Sequence, residues 1–364
     1  MSKDTGDNLD AVRARIDAID REIVRLLNAR AASAKRVARI KATEDTDQAP
    51  VFYRPEREAQ ILERVLAENN GPLSDRDLWR LFREIISCCL SLEQPLTVAY
   101  LGPPGTYTEA AVVKHFGHFA ISRSQNSIDE VFREVESGAA HCGVVPVENS
   151  TEGMVNHTLD CFMASRLRIC GEVELSINHA FMSVEDQDAI TAVYSHEQSL
   201  AQCRRWLDRH YPNAAHVPMV SNAEAARVAA RTSGAAAIAG EMAAERYGLR
   251  VLATNIEDET DNKTRFLVIG DQSVGPSGKD KTSLLVSTRN ESGALYRVLE
   301  PFRRHDVNLT RIETRPSRVS NWSYIFFIDF DGHEETEAIT TMLEEVRTVA
   351  TEVRSLGSYP QAVF

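Results

Sequence analysis

Two segments of the sequence place hydrogen-bonding side chains at the end of an apolar run, where they could hold a small polar ligand. The first, Gly143-Val-Val-Pro-Val-Glu-Asn-Ser150, turns from apolar to polar at Glu148. The second, Asn262-Lys-Thr-Arg-Phe266, sets Thr264 and Arg265 just before an apolar run. Open α/β sheets bind their ligands at the carboxyl ends of such buried strands. The first segment therefore indicates the polar edge of a binding cleft.

Each segment also has a purely structural interpretation. Ser150 or Thr151 would suit the N-cap of the helix that we predict over residues 154–163. A threonine beside a strand often reflects β-propensity alone. The sequence of these two segments, taken by itself, leaves both interpretations open.

Two further motifs narrow the choice of chemistry. Leu101-Gly-Pro-Pro-Gly-Thr-Tyr-Thr-Glu109 predicts a glycine turn at the start of a helix, which favours anions. It is neither G-x-G-x-x-G nor a P-loop, so we reject dinucleotide and nucleotide binding. Ser195-His196 suggests a hydrolase triad only weakly, because the G-x-S-x-G elbow is missing.

Residues 9–93 are predicted to be helical. Apolar residues from Leu9 to Leu26 follow alternating spacings of three and four, and no Pro or Gly interrupts the run from Leu9 to Lys41. Such a helix would be about 50 Å long. A unit of this size cannot cover it, so we expect it to pack against a second copy in a homodimer. Shorter helices are predicted from Glu56 to Glu68 and from Ser74, its N-cap, to Glu93.

These helices carry charged residues on their apolar seams, namely Arg30, Glu58 and Glu93. Burying a charge without a partner is costly. One interpretation is a structural ion pair between Arg30 and Glu58. The other is a pocket for a small dianion between the helices, because further cations flank the seams at Arg13, Lys41 and Arg57.

The composition limits the partners and the compartment. The chain has 364 residues and a net charge of −12, which argues against nucleic acid or an anionic membrane as its main partner. The N-terminus has no apolar signal region, and no run approaches the roughly 18 apolar residues that span a bilayer. The six cysteines show no C-x-x-C and no paired Cys/His spacing, so we predict buried thiols in a reducing cytoplasm and no metal site.

The chain divides into three predicted units. Residues 1–95 are all-α, residues 96–272 are α/β and residues 281–364 are α+β, after a linker rich in Gly and Ser. The last unit has the order strand, helix, strand, strand, helix, strand, which is the ferredoxin-like arrangement. Strands of the second unit are predicted at Thr97–Leu101, Cys142–Val147, Ile169–Glu174, Ala192–Tyr194, Ala235–Ile238 and Phe266–Ile269.

Residues 9–94 resemble the all-helical chorismate mutase domain. The match rests on Val12-Arg-Ala-Arg-Ile-Asp-Ala-Ile-Asp20, Leu27-Asn-Ala-Arg30, Lys41 and Arg57-Glu58. The resemblance implies that Arg13 of a partner chain, Arg30 and Arg57 hold the carboxylates of chorismate. It also implies that Lys41 donates to the ether oxygen and that Glu58 accepts from the ring hydroxyl.

The sequence departs from that family's pattern at the third helix. Cys89 and Glu93 stand where the family often has Ser and Gln. A Gln amide can donate a hydrogen bond to the ether oxygen, whereas Glu93 can donate only when protonated. The apolar seam would raise its pKa, and Lys41 and the arginines would lower it. We expect Glu93 to work protonated, with mutase activity falling as the pH rises.

Residues 97–270 resemble prephenate dehydratase. The matching motifs are Gly102-Pro-x-Gly-Thr106, Gly143 to Ser150, Tyr194-Ser-His196 with Gln202-Cys203, and Thr264-Arg-Phe266. The resemblance implies two α/β lobes, similar in shape to type 2 solute-binding proteins, with the site in the cleft and with no metal or cofactor. It makes Thr264 the proton donor. It implies that the substrate is held by Asn149, Ser150, Ser195, Gln202 and Thr106, with Arg265 on a carboxylate.

Residues 281–364 resemble the ACT ligand-binding domain. Gly293-Ala-Leu-Tyr296 and Glu313-Thr-Arg-Pro316 match segments that bind phenylalanine in the dehydratase family. The resemblance implies that L-phenylalanine binds across two such domains and shifts the cleft towards a less active state. The alternative is a purely structural dimerisation domain. The predicted ligand-binding residues are Gly293, Ala294, Leu295, Asn308, Leu309, Glu313 and Arg315.

The resemblances predict a bifunctional enzyme of phenylalanine synthesis, which rearranges chorismate to prephenate and converts prephenate to phenylpyruvate. We expect a homodimer or a dimer of dimers. One alternative is a dehydratase of prephenate or arogenate whose helical unit only dimerises. The other is a non-catalytic amino-acid sensor, against which Thr264-Arg265-Phe266 argues, since a mere binder needs no proton donor.

Overall fold

The computed structural model describes residues 8–43, 53–316 and 324–363. Its first unit is helical, as predicted. The helices are α1 (Leu9–Thr43), α2 (Pro55–Ala67) and α3 (Asp75–Glu93). Ser74 is the N-cap of α3, and its side chain accepts a hydrogen bond from the Asp77 backbone N–H. The apolar spacing and this capping residue were sufficient to predict all three helices.

Helix α1 lies along α3 but keeps its apolar stripe in solvent. Ile16, Ile19 and Leu26 are about half exposed, at 51%, 50% and 51%. Ala34 is the buried residue of this 35-residue helix. A single chain therefore leaves the longest apolar face of the helical unit uncovered.

The second unit consists of two α/β lobes. In the first lobe the strands run in the order β2-β1-β3-β11-β5, with β4 paired to β3. Strand β11 lies antiparallel between β3 and β5, whereas β1 is parallel to β3. The elements of this lobe are β1 (Thr97–Leu101), α4 (Tyr107–Phe116), β2 (Ile121–Gln125), α5 (Ile128–Glu136), β3 (Cys142–Asn149), β4 (Gly153–Met154), α6 (Asn156–Ala164), β5 (Arg168–Ser176) and β11 (Lys263–Gly270).

The second lobe is inserted between β5 and β11, so the chain leaves the first lobe and returns to it. Its strand order is β10-β6-β9-β7-β8. The elements are β6 (Ala180–Ser183), a 3₁₀ turn (Gln187–Ala189), β7 (Ala192–His196), α7 (Glu197–Gln202), α8 (Arg204–His210), β8 (Ala215–Met219), α9 (Asn222–Ala229), β9 (Ala235–Ala239), α10 (Glu241–Tyr247) and β10 (Arg250–Ala253). The two crossings between the lobes place a cleft beside the ends of β3 and β11.

The helix predicted over residues 154–163 is confirmed in its main part, but its N-cap is neither of the two residues suggested for that position. Residues 153–154 form β4, and α6 begins at Asn156. Val155 is at the N-cap position and makes no side-chain cap bond. Ser150 and Thr151 therefore do not cap this helix.

The third unit has the predicted ferredoxin-like order, with strands arranged β13-β14-β12-β15. Its elements are β12 (Asp280–Thr288), α11 (Ala294–Arg304), β13 (Leu309–Pro316), β14 (Tyr324–Asp331), α12 (Glu337–Val349) and β15 (Glu352–Pro360). Strand β14 is described from Tyr324 onward.

The third unit shares a hydrophobic core with the first lobe. Leu285, Phe327 and Leu356 belong to the same buried cluster as Val145 and Leu267. At Gly357 the φ angle is +131°, and an added Cβ would lie 2.4 Å from the carbonyl oxygen of Ile169. The sheet of the third unit therefore packs directly on strand β5, at backbone distance.

Candidate active sites

The cleft between the two lobes contains most of the predicted polar residues. It encloses a cavity of about 270 Å³. Both lobes contribute side chains to its wall, including Thr106, Asn149, His179, Gln202, Asn222 and Thr264. Asn149 and Thr264 are directly opposite each other in the pairing of β3 with β11. The antiparallel register thus brings together two groups that are more than 100 residues apart in sequence.

A defined hydrogen bond joins these two residues. Asn149 Nδ2 lies 2.8 Å from Thr264 Oγ1 and 2.8 Å from Asn262 Oδ1. Asn149 Oδ1 accepts from the Thr151 hydroxyl at 2.6 Å and from its backbone N–H at 3.0 Å, which fixes which end of the amide is the donor. Since Thr264 Oγ1 accepts this bond, its own proton remains available to a ligand in the cleft.

A second polar chain crosses the cleft and involves a residue that the sequence did not reveal. The Tyr107 hydroxyl lies 2.8 Å from His179 Nδ1, and His179 Nε2 lies 2.8 Å from Gln202 Oε1. Burial lowers the pKa of His179, so its imidazole is neutral at neutral pH. When Tyr107 donates to Nδ1, Nε2 donates to Gln202, whose amide NH₂ then serves as a donor in the cleft.

The glycine turn holds the lobes close together at one end of the cleft. Gly105 has φ +88°, and a Cβ there would lie 3.2 Å from Ala243 Cα in the other lobe. Tyr247 donates from its hydroxyl to the Pro104 carbonyl at 2.6 Å. Thr106 is the N-cap of α4, as it accepts from the Glu109 backbone N–H at 3.4 Å. This geometry leaves Thr106 on the cleft wall.

The helical unit gathers a second set of charged groups. Lys41 Nζ lies 3.9 Å from Glu93 Oε2, and both side chains are mostly buried. Burial raises the pKa of Glu93, against the opposing effects of Lys41 and Arg30. Arg30 is half-buried and donates from Nη1 to the Ile85 carbonyl at 3.2 Å. Glu93, Lys41 and Arg30 are therefore neighbours within one chain.

Glu58 has a different partner from the one that the structural ion-pair interpretation gave it. Its carboxylate pairs at 2.5 Å with Arg83, which also lies over the ring of Trp79, and not with Arg30. Burial raises the pKa of Glu58, although Arg83 and Arg30 oppose the shift. Arg83 was missed because the helical spacing does not tell which face of α3 meets α2. Arg13 and Arg57 are exposed in this chain, and Cys89 is buried.

Comparison with known proteins places the chain in a family. Residues 12–94 match the model of chorismate mutase type II, residues 98–274 that of prephenate dehydratase and residues 282–348 that of the ACT domain. A bifunctional chorismate mutase/prephenate dehydratase of Pseudomonas aeruginosa is 55% identical, over 98% of this chain and 99% of that protein. The chain belongs to the bifunctional chorismate mutase/prephenate dehydratase family. The predicted all-α, two-lobed α/β and ACT architecture is thereby confirmed.

Two other relatives agree with this placement. A bifunctional chorismate mutase/prephenate dehydratase of Neisseria gonorrhoeae is 47% identical and covers the full length of both chains. The crystal structure of prephenate dehydratase in complex with L-Phe from Arthrobacter aurescens matches with a TM-score of 0.67 and 34% identity. That alignment covers 73% of this chain and 90% of the other.

Several residues predicted to bind the dehydratase substrate lie outside the cleft. Arg265 is buried on the opposite face of β11 from Thr264, since neighbouring residues of a strand point to opposite faces. Ser150 faces the same side as Arg265, where its hydroxyl accepts from the Lys263 backbone N–H. Ser195 is fully buried and donates to the Ile238 carbonyl at 2.7 Å. It also lies 2.9 Å from Asn222 Oδ1, so Ser195 supports the cleft wall from behind.

The ACT residues predicted to bind phenylalanine fall on α11 and on the edge strand β13. Gly293, at φ +77°, is the N-cap of α11, and Ala294 and Leu295 open the helix. Asn308 donates to the Asp331 carboxylate at 2.8 Å, and Leu309 and Glu313 are half-buried. Arg315 instead lies 2.8 Å from Asp160 of α6, an interdomain contact that the sequence did not predict.

The cysteines are free thiols, and all except the half-buried Cys88 are buried, as predicted. One Cys/His spacing was overlooked. His157 and Cys161 lie one turn apart on α6, and their ligand atoms and that of Asp129 all fall within 4.8 Å of one another. Burial and the Asp129 carboxylate raise the pKa of the Cys161 thiol to about 12, which keeps the sulfur protonated.

Every helix in the described part of the chain is too short or too polar to cross a bilayer. Many of the helices, such as α7 and α10, have only six or seven residues. The 35-residue α1 is long enough, but charged residues recur along its whole length.

Proposed function

We propose that the chain converts chorismate to prephenate in its helical unit and prephenate to phenylpyruvate in its cleft, under feedback inhibition by L-phenylalanine. The hydrogen bond from Asn149 to Thr264, facing an open cleft, is the observation that carries the dehydratase assignment. A hydroxyl whose proton is left available to a ligand in this way can act as the acid of an elimination.

The dehydratase step needs an acid and no electron acceptor. The ring hydroxyl of prephenate leaves as water once it has received a proton from Thr264. The bond to the ring carboxylate breaks at the same time, and its electron pair completes the aromatic ring while CO₂ departs. A free threonine hydroxyl is a weak acid, and the Asn149 donor stabilises the alkoxide that forms. Gln202 and Thr106 are the proposed contacts to the substrate on the cleft wall.

The mutase step is an intramolecular rearrangement, in which a C–O bond breaks as a C–C bond forms. Negative charge gathers on the ether oxygen, where Lys41 and protonated Glu93 can donate hydrogen bonds. Arg30, Arg57 and Arg13 of a second subunit are the proposed partners of the two carboxylates, with Glu58 and Cys89 lining the site. The raised pKa of Glu93 supports its role as a donor.

Assembly and regulation complete the proposal. The exposed stripe of α1 supports a homodimer, or a dimer of dimers, in which a second copy of α1 covers it. Such a pairing would supply Arg13 across the interface. L-phenylalanine would bind between two ACT domains at Gly293, Ala294, Leu295, Asn308, Leu309, Glu313 and Arg315. We place the enzyme in the cytoplasm and the unit boundaries after residue 95 and within residues 273–280.

One assay with the purified full chain tests the proposal and its rivals. The protein is given chorismate, prephenate or arogenate, and products are followed with and without L-phenylalanine. We expect turnover of chorismate and prephenate, with prephenate turnover reduced by L-phenylalanine. Turnover of arogenate without chorismate would indicate a dehydratase whose helical unit only dimerises. Binding of L-phenylalanine without any turnover would indicate a sensor.

A further inference from the structure

The two catalytic strands present different residues on their two faces. Thr264 is opposite Asn149 in the β11–β3 ladder, and the next pair along is Arg265 opposite Glu148. The register shifts immediately after Arg265. Because side chains alternate, the first pair faces the cleft and the second pair faces the ACT domain. Such irregularities near active sites re-aim side chains and locally disrupt the ladder.

Arg265 joins the catalytic strand to the ACT sheet through buried charge-assisted bonds. Its Nη1 lies 2.6 Å from Asp329 on β14, and its Nη2 lies 2.9 Å from the Tyr359 hydroxyl on β15. Nε contacts Glu172 of β5 at 2.8 Å. The Arg265 residue is only 8% exposed. Because this buried guanidinium is held by fixed partners in both domains, a movement of the ACT sheet here also moves the catalytic strand.

Glu148 makes the second connection. Its carboxylate pairs with Arg311 of β13. Arg311 is on the same strand as Glu313, two residues away, and so on the same face of that strand. A cavity of about 330 Å³ lies beside this ion pair, lined by Glu148, Arg265 and Arg311 among others. The contact between the domains is therefore not packed solid here, and β13 has room to shift.

We propose that Arg265 and Glu148 are positioning residues of the dehydratase reaction, and that their ion pairs with Asp329 and Arg311 carry the state of the ACT domain to Thr264 and Asn149. The inference rests on the proposed function. A shift of β13 or β14 pulls on the back of the ladder at Glu148 and Arg265. The adjoining Asn149–Thr264 bond, 2.8 Å long here, then lengthens or tilts, and hydrogen bonds weaken steeply with misalignment.

The first test separates the binding of L-phenylalanine from its effect. Arg311→Gln removes the pair with Glu148. We expect the concentration of L-phenylalanine that halves prephenate turnover to rise about tenfold, a typical allosteric coupling. We expect its dissociation constant, measured by calorimetry on the same protein, to stay within about twofold of wild type.

The matched control is Glu334→Gln. It breaks the Arg168–Glu334 pair at 2.5 Å, another partly buried ion pair that reaches the ACT domain, here from β5 and away from the β3–β11 ladder. We expect wild-type turnover and inhibition in this variant. Equal loss of inhibition in both variants would show that any interdomain ion pair suffices, which overturns the inference.

The second test concerns catalysis. Asp329→Asn keeps an oxygen for the Ser283 hydroxyl, now 2.6 Å away, and removes the charge facing Arg265. We expect kcat for prephenate to fall about tenfold with KM little changed, because the acid is misplaced while the cleft wall is intact. A merely structural role would lower the unfolding temperature and leave kcat per folded molecule as it was.

The outcomes distinguish this inference from the proposed function. If wild-type protein neither turns over prephenate nor responds to L-phenylalanine, the proposed function fails. If wild type is inhibited, and Arg311→Gln is inhibited at the same concentration, only the coupling fails. Parallel weakening of binding and inhibition in Arg311→Gln would make Arg311 a ligand-binding residue and would also overturn the coupling.

Discussion

The two candidate active sites differ in how much of each one chain contains. The dehydratase cleft has its proposed acid, the supporting amide and the opposite wall in one chain, joined by hydrogen bonds near 2.8 Å. The helical unit has a half-exposed apolar stripe on α1, with Arg13 in solvent. One site is completed by the return of β11 to its own lobe, and the other would be completed by a second chain in the proposed homodimer. Subunit assembly should therefore govern the mutase and leave the dehydratase chemistry unaffected.

The largest expected effect is a loss of activity in the dehydratase cleft alone. Thr264→Ala removes the proposed acid, and we expect the kcat for prephenate to fall by roughly 10³, within the usual range for a general acid. Mutase activity should be unchanged in the same preparation. Thr264→Ser keeps a hydroxyl and should retain most of the activity. Unchanged dehydratase kcat in Thr264→Ala would remove the acid assignment.

The next largest effect is a loss of mutase activity in the helical unit alone. Ile19→Asp puts a carboxylate in the stripe of α1, where pairing would bury it at high cost. We expect mutase kcat/KM to fall about a hundredfold, since the partner's Arg13 would be lost, and prephenate turnover to change less than about twofold. Arg21→Gln lies on the far side of the helix and serves as the control. A fully active mutase in a protein that sedimentation shows to be monomeric would contradict the shared site.

The pH dependence of the mutase reaction is a further expected property of the helical site. Burial raises the pKa of Glu93, so the donor form is present below that pKa and is lost as the pH rises through it. We expect mutase kcat to fall by up to about tenfold per pH unit above it. Glu93→Gln should flatten the profile. A wild-type rate that stays level from about pH 5 to 9, equal to that of the variant, would count against protonated Glu93.

The smallest effect concerns the support of the cleft wall. Ser195→Ala removes the buried hydroxyl that bonds Ile238 and Asn222. We expect unfolding free energy to fall by about 1–2 kcal/mol, and dehydratase kcat to fall by less than about tenfold. Denaturant titration and steady-state kinetics measure the two. A loss of activity as large as that of Thr264→Ala would instead place Ser195 in contact with the substrate.

Sequence reasoning located the elements better than the contacts. The strands predicted in the α/β unit are all present. They were predictable because buried strands form continuous apolar runs in the sequence. Edge strands such as β2, with the sequence Ile-Ser-Arg-Ser-Gln, were missed because their residues are mostly exposed and polar. The ferredoxin-like order was predictable because its helices and strands differ in apolar period.

The errors in the sites have identifiable physical causes. Arg265 was grouped with Thr264 by a motif, although alternation along a strand puts them on opposite faces. His179 lies between strands, where spacing carries no signal, and it enters the cleft only through the fold of the second lobe. The partner of Glu58 depends on how α2 rotates against α3, which one sequence does not reveal. Motifs thus indicate which segments lie near a site, whereas strand register and helix rotation determine which side chains contact each other.

The late position of β11 in the chain has a consequence for protein synthesis. Strands β3 and β5 leave the ribosome long before β11, which joins them only after the whole second lobe has been made. At roughly 5–20 residues per second, their facing edges wait on the order of ten seconds. Unpaired strand edges attract other chains. The bond between Asn149 and Thr264 is therefore among the last contacts that the nascent first lobe can form, because it depends on the strand that closes these two edges.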